Sequence, residues 1–195
     1  MATGTRERII ETTAGLFGER GYTATGLKAV ARGSGATFGS LYHFFPGGKQ
    51  QLAAEALRTA AARYEAMMAE VLGGAPDVVT AVQLAFESAA ATLQETDYVD
   101  ACPIATVALE VASSNEVLRL VAAEIFAGWL DSLQMPFIAA GVDPGRAREL
   151  AILFLGALEG GFLLSRTAKS VTPLLSLGRS VTDSVERAVA DLRRP

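Results

Sequence analysis

Hydroxyl, aromatic and basic side chains crowd into residues 25 to 49, TGLKAVARGSGATFGSLYHFFPGGK. Together such groups bind phosphate oxygens and base edges without covalent chemistry. Thr25, Thr37, Ser40, Tyr42 and Lys49 are donors of the kind that hold a phosphate, contacts that fix register but carry no sequence information. Lys28 adds a charge to the same stretch. Covalent chemistry has far less to work with. His43 is the sole histidine and Cys102 the sole cysteine. A Ser-His-Asp site would therefore need this same segment, and neither a histidine-rich metal site, a Cys-based zinc cluster nor an intrachain disulfide can be assembled. Gly33-Ser34-Gly35-Ala36-Thr37-Phe38-Gly39 departs from a dinucleotide loop, since its third glycine falls one residue late and no strand precedes it. Gly47-Gly48-Lys49 departs from a phosphate loop, since Gln50 stands where Ser or Thr would bind magnesium. No cofactor is expected, and a small helical enzyme is the remote alternative.

Groups of this kind need two short helices to aim them. Thr25 is placed to cap a helix with Leu27, Val30 and Ala31 on its apolar face, Gly33 and Gly35 supply a sharp turn, and Thr37 caps a second helix. On that second helix Phe38, Gly39, Ser40 and His43 fall away from Leu41 and Phe45, so one side packs inward while the other can lie against base-pair edges. A helix over about 6–19 precedes the pair. Beyond it, Gly and Pro punctuation predicts helices near 49–72, 77–95, 103–111, 116–140, 145–168 and 172–192. No segment alternates as a strand does, and the expected class is all-α.

The formal charge of −4 hides an asymmetry. Residues 1–50 hold six Lys and Arg against three Glu, a net +3, which leaves eleven cations against eighteen carboxylates, a net −7, in the remainder. A basic head on an acidic body draws a polyanion to one end, and such attraction weakens steeply with salt. Half of the 195 residues are apolar, enough for a sizeable core. No uninterrupted apolar run reaches membrane-spanning length, and MATGTRERIIETTAGLFGERGY has charges within each turn, unlike a secretory leader. A cytoplasmic location with no membrane partner is expected.

The run Ala31-x-x-Ser34-Gly35-Ala36-Thr37-x-Gly39-Ser40-Leu41-Tyr42-x-Phe44-Phe45 follows a helix containing Ile9, Ala14, Leu16 and Phe17 and the connector Gly21-Tyr22-Thr23-Ala24-Thr25. This pattern resembles the DNA-binding domain of TetR-type transcriptional repressors. The segment from Leu41 to Lys49, with Cys102-Pro103-Ile104-Ala105 and Ala157-Leu158-Glu159-Gly160-Gly161, looks like the LmrA/YxaF-like branch of that family. Two positions depart from the family pattern. Phe44 stands where His is usual, and Phe38 where Lys or Arg is common, so readout should lean on shape and apolar contact, and the operator sequence is not transferable.

The resemblance implies a helix-turn-helix DNA-binding domain over 1–48 and a ligand-binding and dimerisation domain over 49–195, with 49–72 as connector helix. It implies a bacterial, nucleoid-associated protein whose homodimer grips a palindromic operator until a small lipophilic or aromatic effector releases it. Thr25, Lys28, Thr37, Phe38, Gly39, Ser40, Tyr42, His43 and Lys49 are the expected DNA contacts. Phe86, Cys102, Glu110, Phe126, Trp129, Phe154, Glu159 and Phe162 are the expected effector contacts. The homodimer is expected through the last two helices, where Leu150, Phe154, Ala157, Leu158, Gly161, Leu164 and Ala168 line one stripe at helical spacing. That stripe suits a core as well as a partner. The alternative is an effector-free DNA-binding dimer regulated by a protein partner.

Overall fold

Several helices in this chain begin where a short polar side chain or a proline stands ready to start them. Asp77 accepts from the Val79 and Thr80 amides, each at 2.9 Å. Asp143 accepts from Gly145 and Arg146, with Pro144 in the first turn, and Asn115 accepts from Leu118 at 3.2 Å. Each satisfies amides that a helix leaves without partners at its start. A computed structural model of the chain describes residues 4–99 and 101–192. Among them are α1 (Thr5–Ala24), α2 (Leu27–Ser34), α3 (Phe38–Phe44), α4 (Gly48–Gly74), α5 (Val78–Glu95), α6 (Pro103–Val111), α7 (Glu116–Ala139), α8 (Pro144–Ala168) and α9 (Thr172–Asp191). The described residues contain no strand, and the class is all-α.

These helices form two compact units that do not follow chain order. The first takes in the described residues of Met1–Tyr64 and Ala101–Ile125, and the second those of Glu65–Asp100 and Phe126–Pro195. Ile9, Phe17, Val30, Leu41, Phe45, Leu52 and Ile104 are buried in the first. In the second, Val82, Phe86, Leu93, Leu150, Phe154, Leu174 and Val181 belong to one apolar cluster. Here α8 and α9 approach closely. A β-carbon at Gly161 would come within 2.5 Å of the Leu174 side chain, and the buried Ser165 hydroxyl accepts the Leu174 amide at 3.1 Å. On the next contact, Gly178 of α9 lies against Phe86 of α5, whose ring meets Phe154 edge-on at 5.2 Å.

The apolar faces of α8 correct two expectations. Leu150, Phe154, Leu158 and Gly161 of the anticipated stripe are buried within their own unit, because α9 covers them. Leu164 of that stripe is exposed instead, together with Ile152, Leu153, Gly156 and Leu163. Moreover α8 is, by length and composition, long and apolar enough to cross a membrane, with a hydropathy of 1.4 over its best 18-residue window. Glu159 interrupts the run, so a search for uninterrupted apolar sequence passes over it. A third of that window is buried within the protein, on the face that meets α9.

Gly178 yields a direct test of this packing. A β-carbon there would stand 2.7 Å from Phe86 Cβ and Cγ, and Phe86 has no room to retreat from Phe154. Gly178→Val should therefore lower stability to urea by about 1–3 kcal/mol through overpacking, with far-UV circular dichroism at low denaturant unchanged.

Candidate nucleic-acid interface

Two helices and a tight turn position the recognition groups. Gly35 ends α2 in the left-handed region (φ 66°, ψ 17°), a conformation that costs little only for glycine. The Ala36 amide then reaches back to Ala31 O at 3.1 Å, and Thr37 starts α3 by accepting the Ser40 amide at 3.1 Å. Thr37 is thus the expected cap. Gly33, expected in the turn, instead lies inside α2, where a β-carbon would come 2.7 Å from the Thr12 methyl. Its small size serves the α1–α2 contact.

On α3 the two faces separate cleanly. Leu41 and Phe45 are buried, while Phe38 and Tyr42 are 43% and 54% exposed, with Gly39 and His43 exposed beside them. Ser40 is half-buried, and its hydroxyl lies 3.0 Å from that of Thr37. On α2, Lys28 and Arg32 are exposed and stand one turn apart on one face. The pattern is that of a helix-turn-helix: an open helix of small, aromatic and hydroxyl groups to enter a groove, and a preceding helix with cations for the backbone.

Thr25 behaves otherwise than expected. It is 2% exposed, and its hydroxyl donates to Gly21 O at 2.7 Å with Leu16 O at 3.3 Å. The residue before α2 is Gly26, which makes no side-chain cap. A kink at Gly21 (φ 76°, ψ 180°) turns these carbonyls out of the α1 ladder, and Thr25 satisfies them.

That kink also creates a notch. The Glu110 carboxylate of α6 enters it, accepting the Tyr22 amide at 3.0 Å and the Thr23 amide at 2.8 Å. A β-carbon at residue 21 would overlap its oxygen, at 1.6 Å. Lys49, in the first turn of α4, completes the cluster. Its ammonium sits 4.2 Å from the centre of the Tyr22 ring and 3.5 Å from Thr23 O. Burial pulls Lys49 below the usual lysine range, against the charge of Glu110, which favours the cation. Burial also works to raise the Glu110 carboxyl, but hydrogen bonds from Thr23 and Tyr22 and the charge of Lys49 outweigh it, and the group is held below the usual carboxylate range. Tyr22 is pushed up by burial.

The chain matches two family models that divide it between them. Residues 9–56 match the model of bacterial regulatory proteins of the tetR family, and residues 78–180 the C-terminal domain of LmrA/YxaF-like transcriptional regulators. The chain belongs to the TetR family. It is therefore a DNA-binding transcriptional regulator and not an enzyme. Among relatives, YxaF of Bacillus subtilis, an uncharacterized HTH-type transcriptional regulator, is 35% identical over 176 residues, covering 90% of this chain and 92% of that protein. LmrA of the same organism is 32% identical over 182 residues, 93% and 97% of the two chains. Among solved structures, the TetR regulatory protein of Rhodobacter sphaeroides shares the fold with a TM-score of 0.83 at 17% identity, over 92% of this chain and 98% of that one. A cysteine mutant of CifR, solved with 26 bp operator DNA, shares it at 0.78 and 20%, over 94% and 97%.

The expected effector contacts divide between the two compact units. Cys102 and Glu110 lie in the first compact unit, the other six in the second. Cys102 starts α6, its sulfur accepting the Ala105 amide at 3.4 Å, and Asn115 caps α7 while accepting from Gln50 of α4 at 2.9 Å. Phe86 and Phe154 are buried and meet edge-on in the core, and Phe126 and Trp129 form a half-buried edge-on pair at 5.8 Å. Glu159 and Phe162 are half-buried on α8. Sequence reading missed the Gly21 notch and the tie of Tyr22 and Thr23 to Glu110. A glycine just before an aromatic connector is the one local signal it offered.

The depressed Glu110 carboxyl fixes the sign of a pH effect. Its contribution to the first unit is fully present above the ordinary value of 4.5 and is lost as pH falls through the lower folded value. Between Glu110 and Glu110→Ala chains, the difference in urea stability should be about 1–2 kcal/mol at neutral pH, reduced from the buried limit by the partial exposure of the group. It should shrink toward zero in acid. A difference that grew in acid would reverse the assignment.

Proposed function

We propose that this regulator is a ligand-responsive repressor of TetR type, a cytoplasmic homodimer that holds a palindromic operator and leaves it when a small lipophilic or aromatic effector binds the second unit. The observation that carries DNA readout is the open face of α3, where Phe38, Gly39, Tyr42 and His43 are exposed over a buried Leu41 and Phe45. With no cation on that face, the helix is suited to close backbone approach and apolar contact with base edges. Lys28 and Tyr42 supply backbone contacts, and Phe38 and Ser40 choose among sequences. The fold shared with CifR, a protein solved on operator DNA, agrees with this use of α3.

The homodimer rests on the uncovered stripe of α8. Leu163 is 60% exposed, and Ile152 and Leu164 are 53% exposed. At Gly156 and Gly160 between them a β-carbon would meet nothing, so a second helix could pack closely there. A two-fold partner covering this stripe would set two copies of α3 to read successive major grooves, about 34 to 36 Å apart. For the effector, Phe126 and Trp129 on α7 and Glu159 and Phe162 on α8 are the candidate contacts, being only half-buried. An effector shifts the equilibrium only through its differential affinity for the two conformers. The buried Phe86–Phe154 pair favours a second reading, in which the second unit is filled by its own side chains and the dimer answers to a protein partner.

Ile152→Glu combined with Leu163→Glu should convert the dimer to a monomer in sedimentation velocity, retain helical circular dichroism and lose operator affinity. A monomeric wild type would remove the dimer from the proposal. For operator binding itself, anisotropy titrations across salt on the DNA flanking the gene should show Lys28→Ala lowering the salt slope by about one, and Ser40→Ala changing the preferred sequence with the slope intact. No binding at low salt to any such fragment would overturn the reading. A thermal-shift panel of aromatic compounds separates the two readings of the second unit, since a stabilising compound whose effect is lost in Trp129→Ala supports the effector, and none across the panel supports the filled body.

A further inference from the structure

One carboxylate holds the leading end of the helix-turn-helix, and a lysine at the trailing end packs on the residues it holds. Thr23 stands four residues before Leu27, where α2 begins, and Lys49 five residues after Phe44, where α3 ends. Glu110 accepts both amides of the leading connector, at 3.0 and 2.8 Å. Lys49 lies over the Tyr22 ring and against Thr23 O, with its charge acting on Glu110. The connector that leads into the DNA-reading segment is thus held from α6, and Lys49 of α4 packs on that same connector. Tight backbone contact sets its place. Along the same edge of α1, a β-carbon at Gly18 would come 2.8 Å from the carbonyl oxygen of Ala101, just before α6, so α6 meets α1 at two glycines, through main chain at one and through the Glu110 side chain at the other.

We propose that Glu110 is a positioning residue for operator binding, a carboxylate that sets the connector and the start of α4 so that α2 and α3 are presented to DNA in one fixed attitude. Electrostatics alone predicts the opposite contribution, since a carboxylate in a basic head repels phosphate. The geometry decides against that simple effect. Both carboxylate oxygens are engaged by backbone amides, and a nearby ammonium offsets the charge. Removing Glu110 leaves two amides without their partners and takes away the charge that Lys49 faces, so the connector gains freedom that binding must then remove. This assignment depends only on DNA binding and holds whether or not an effector exists.

The test uses the full chain and a duplex recovered by selecting random sequence on the wild type. Glu110→Ala should raise Kd about tenfold, the scale expected from losing hydrogen bonds to a charged group, with the salt slope unchanged because no phosphate contact is removed. Glu110→Gln keeps the shape and one acceptor oxygen, should fall between the two, and carries the test if the alanine variant folds poorly. Amide exchange gives the readout that separates positioning from bulk stability. At Tyr22 and Thr23 it should quicken in both variants at neutral pH, while the amide of Leu57, in the buried middle of α4, stays protected. Quickened exchange at Tyr22 and Thr23 with Kd unchanged would overturn the proposal. So would tighter binding in Glu110→Gln, the result expected if the carboxylate only repels DNA, or a lowered salt slope, which would place Lys49 on a phosphate.

Discussion

A carboxylate can rest on two consecutive amides only where no β-carbon bars its way and the backbone turns both N–H groups toward it. Residue 21 meets both conditions. Its positive φ breaks the α1 ladder, frees the Tyr22 and Thr23 amides for Glu110, and turns Gly21 O toward the Thr25 hydroxyl. An L-residue with a side chain would be strained in that conformation and would collide with Glu110. The entry to α2, the seat of α6 along α1 and the environment of Lys49 all follow from this one kink. The DNA-reading helices thus inherit their attitude from a residue that carries no side chain.

The reading helix itself is economical in charge. Its outward face offers two aromatic rings, an imidazole and a glycine, and the exposed cations sit on α2 instead, at Lys28 and Arg32. Lys49, which sequence alone places among phosphate ligands, is occupied with the Tyr22 ring and Thr23 O. On the proposed use of these helices, long-range attraction to a polyanion and local readout fall to different elements. The first depends on the net charge of the head and fades with salt, whereas the second depends on how closely α3 can approach.

Much of this was legible in the sequence, and the reasons it stopped are physical. Helix limits could be read because they are local: Ala75-Pro76, Pro103 and Pro173 mark breaks that the observed helices respect, although α4 runs on through Gly73 and Gly74. The cap at Thr37 is local too, its acceptor and donor lying three residues apart. Thr25 has the same chemistry and was misplaced, because the carbonyls it serves become available only after the chain kinks. Glu110 was out of reach altogether. Its partners are 87 and 88 residues away, and nothing in a half-apolar helix says whether a lone carboxylate faces a cavity or a neighbouring backbone.

The two faces of α8 show how a pattern can be correct and still undecided. A helix apolar all round predicts two neighbours, yet periodicity cannot say which face meets the chain's own core. Small residues settle it once positions are known. Gly161 is crowded by Leu174, while Gly156 and Gly160 meet nothing, although all three look alike in sequence. The crowded glycine marks contact already made within the chain, and the open ones lie along Ile152, Leu163 and Leu164, residues whose exposure costs the most if left to water. An isolated apolar residue on a surface is ordinary. A stripe of them, broken by Glu159 and by glycines that open onto space, is a surface suited to a neighbouring helix.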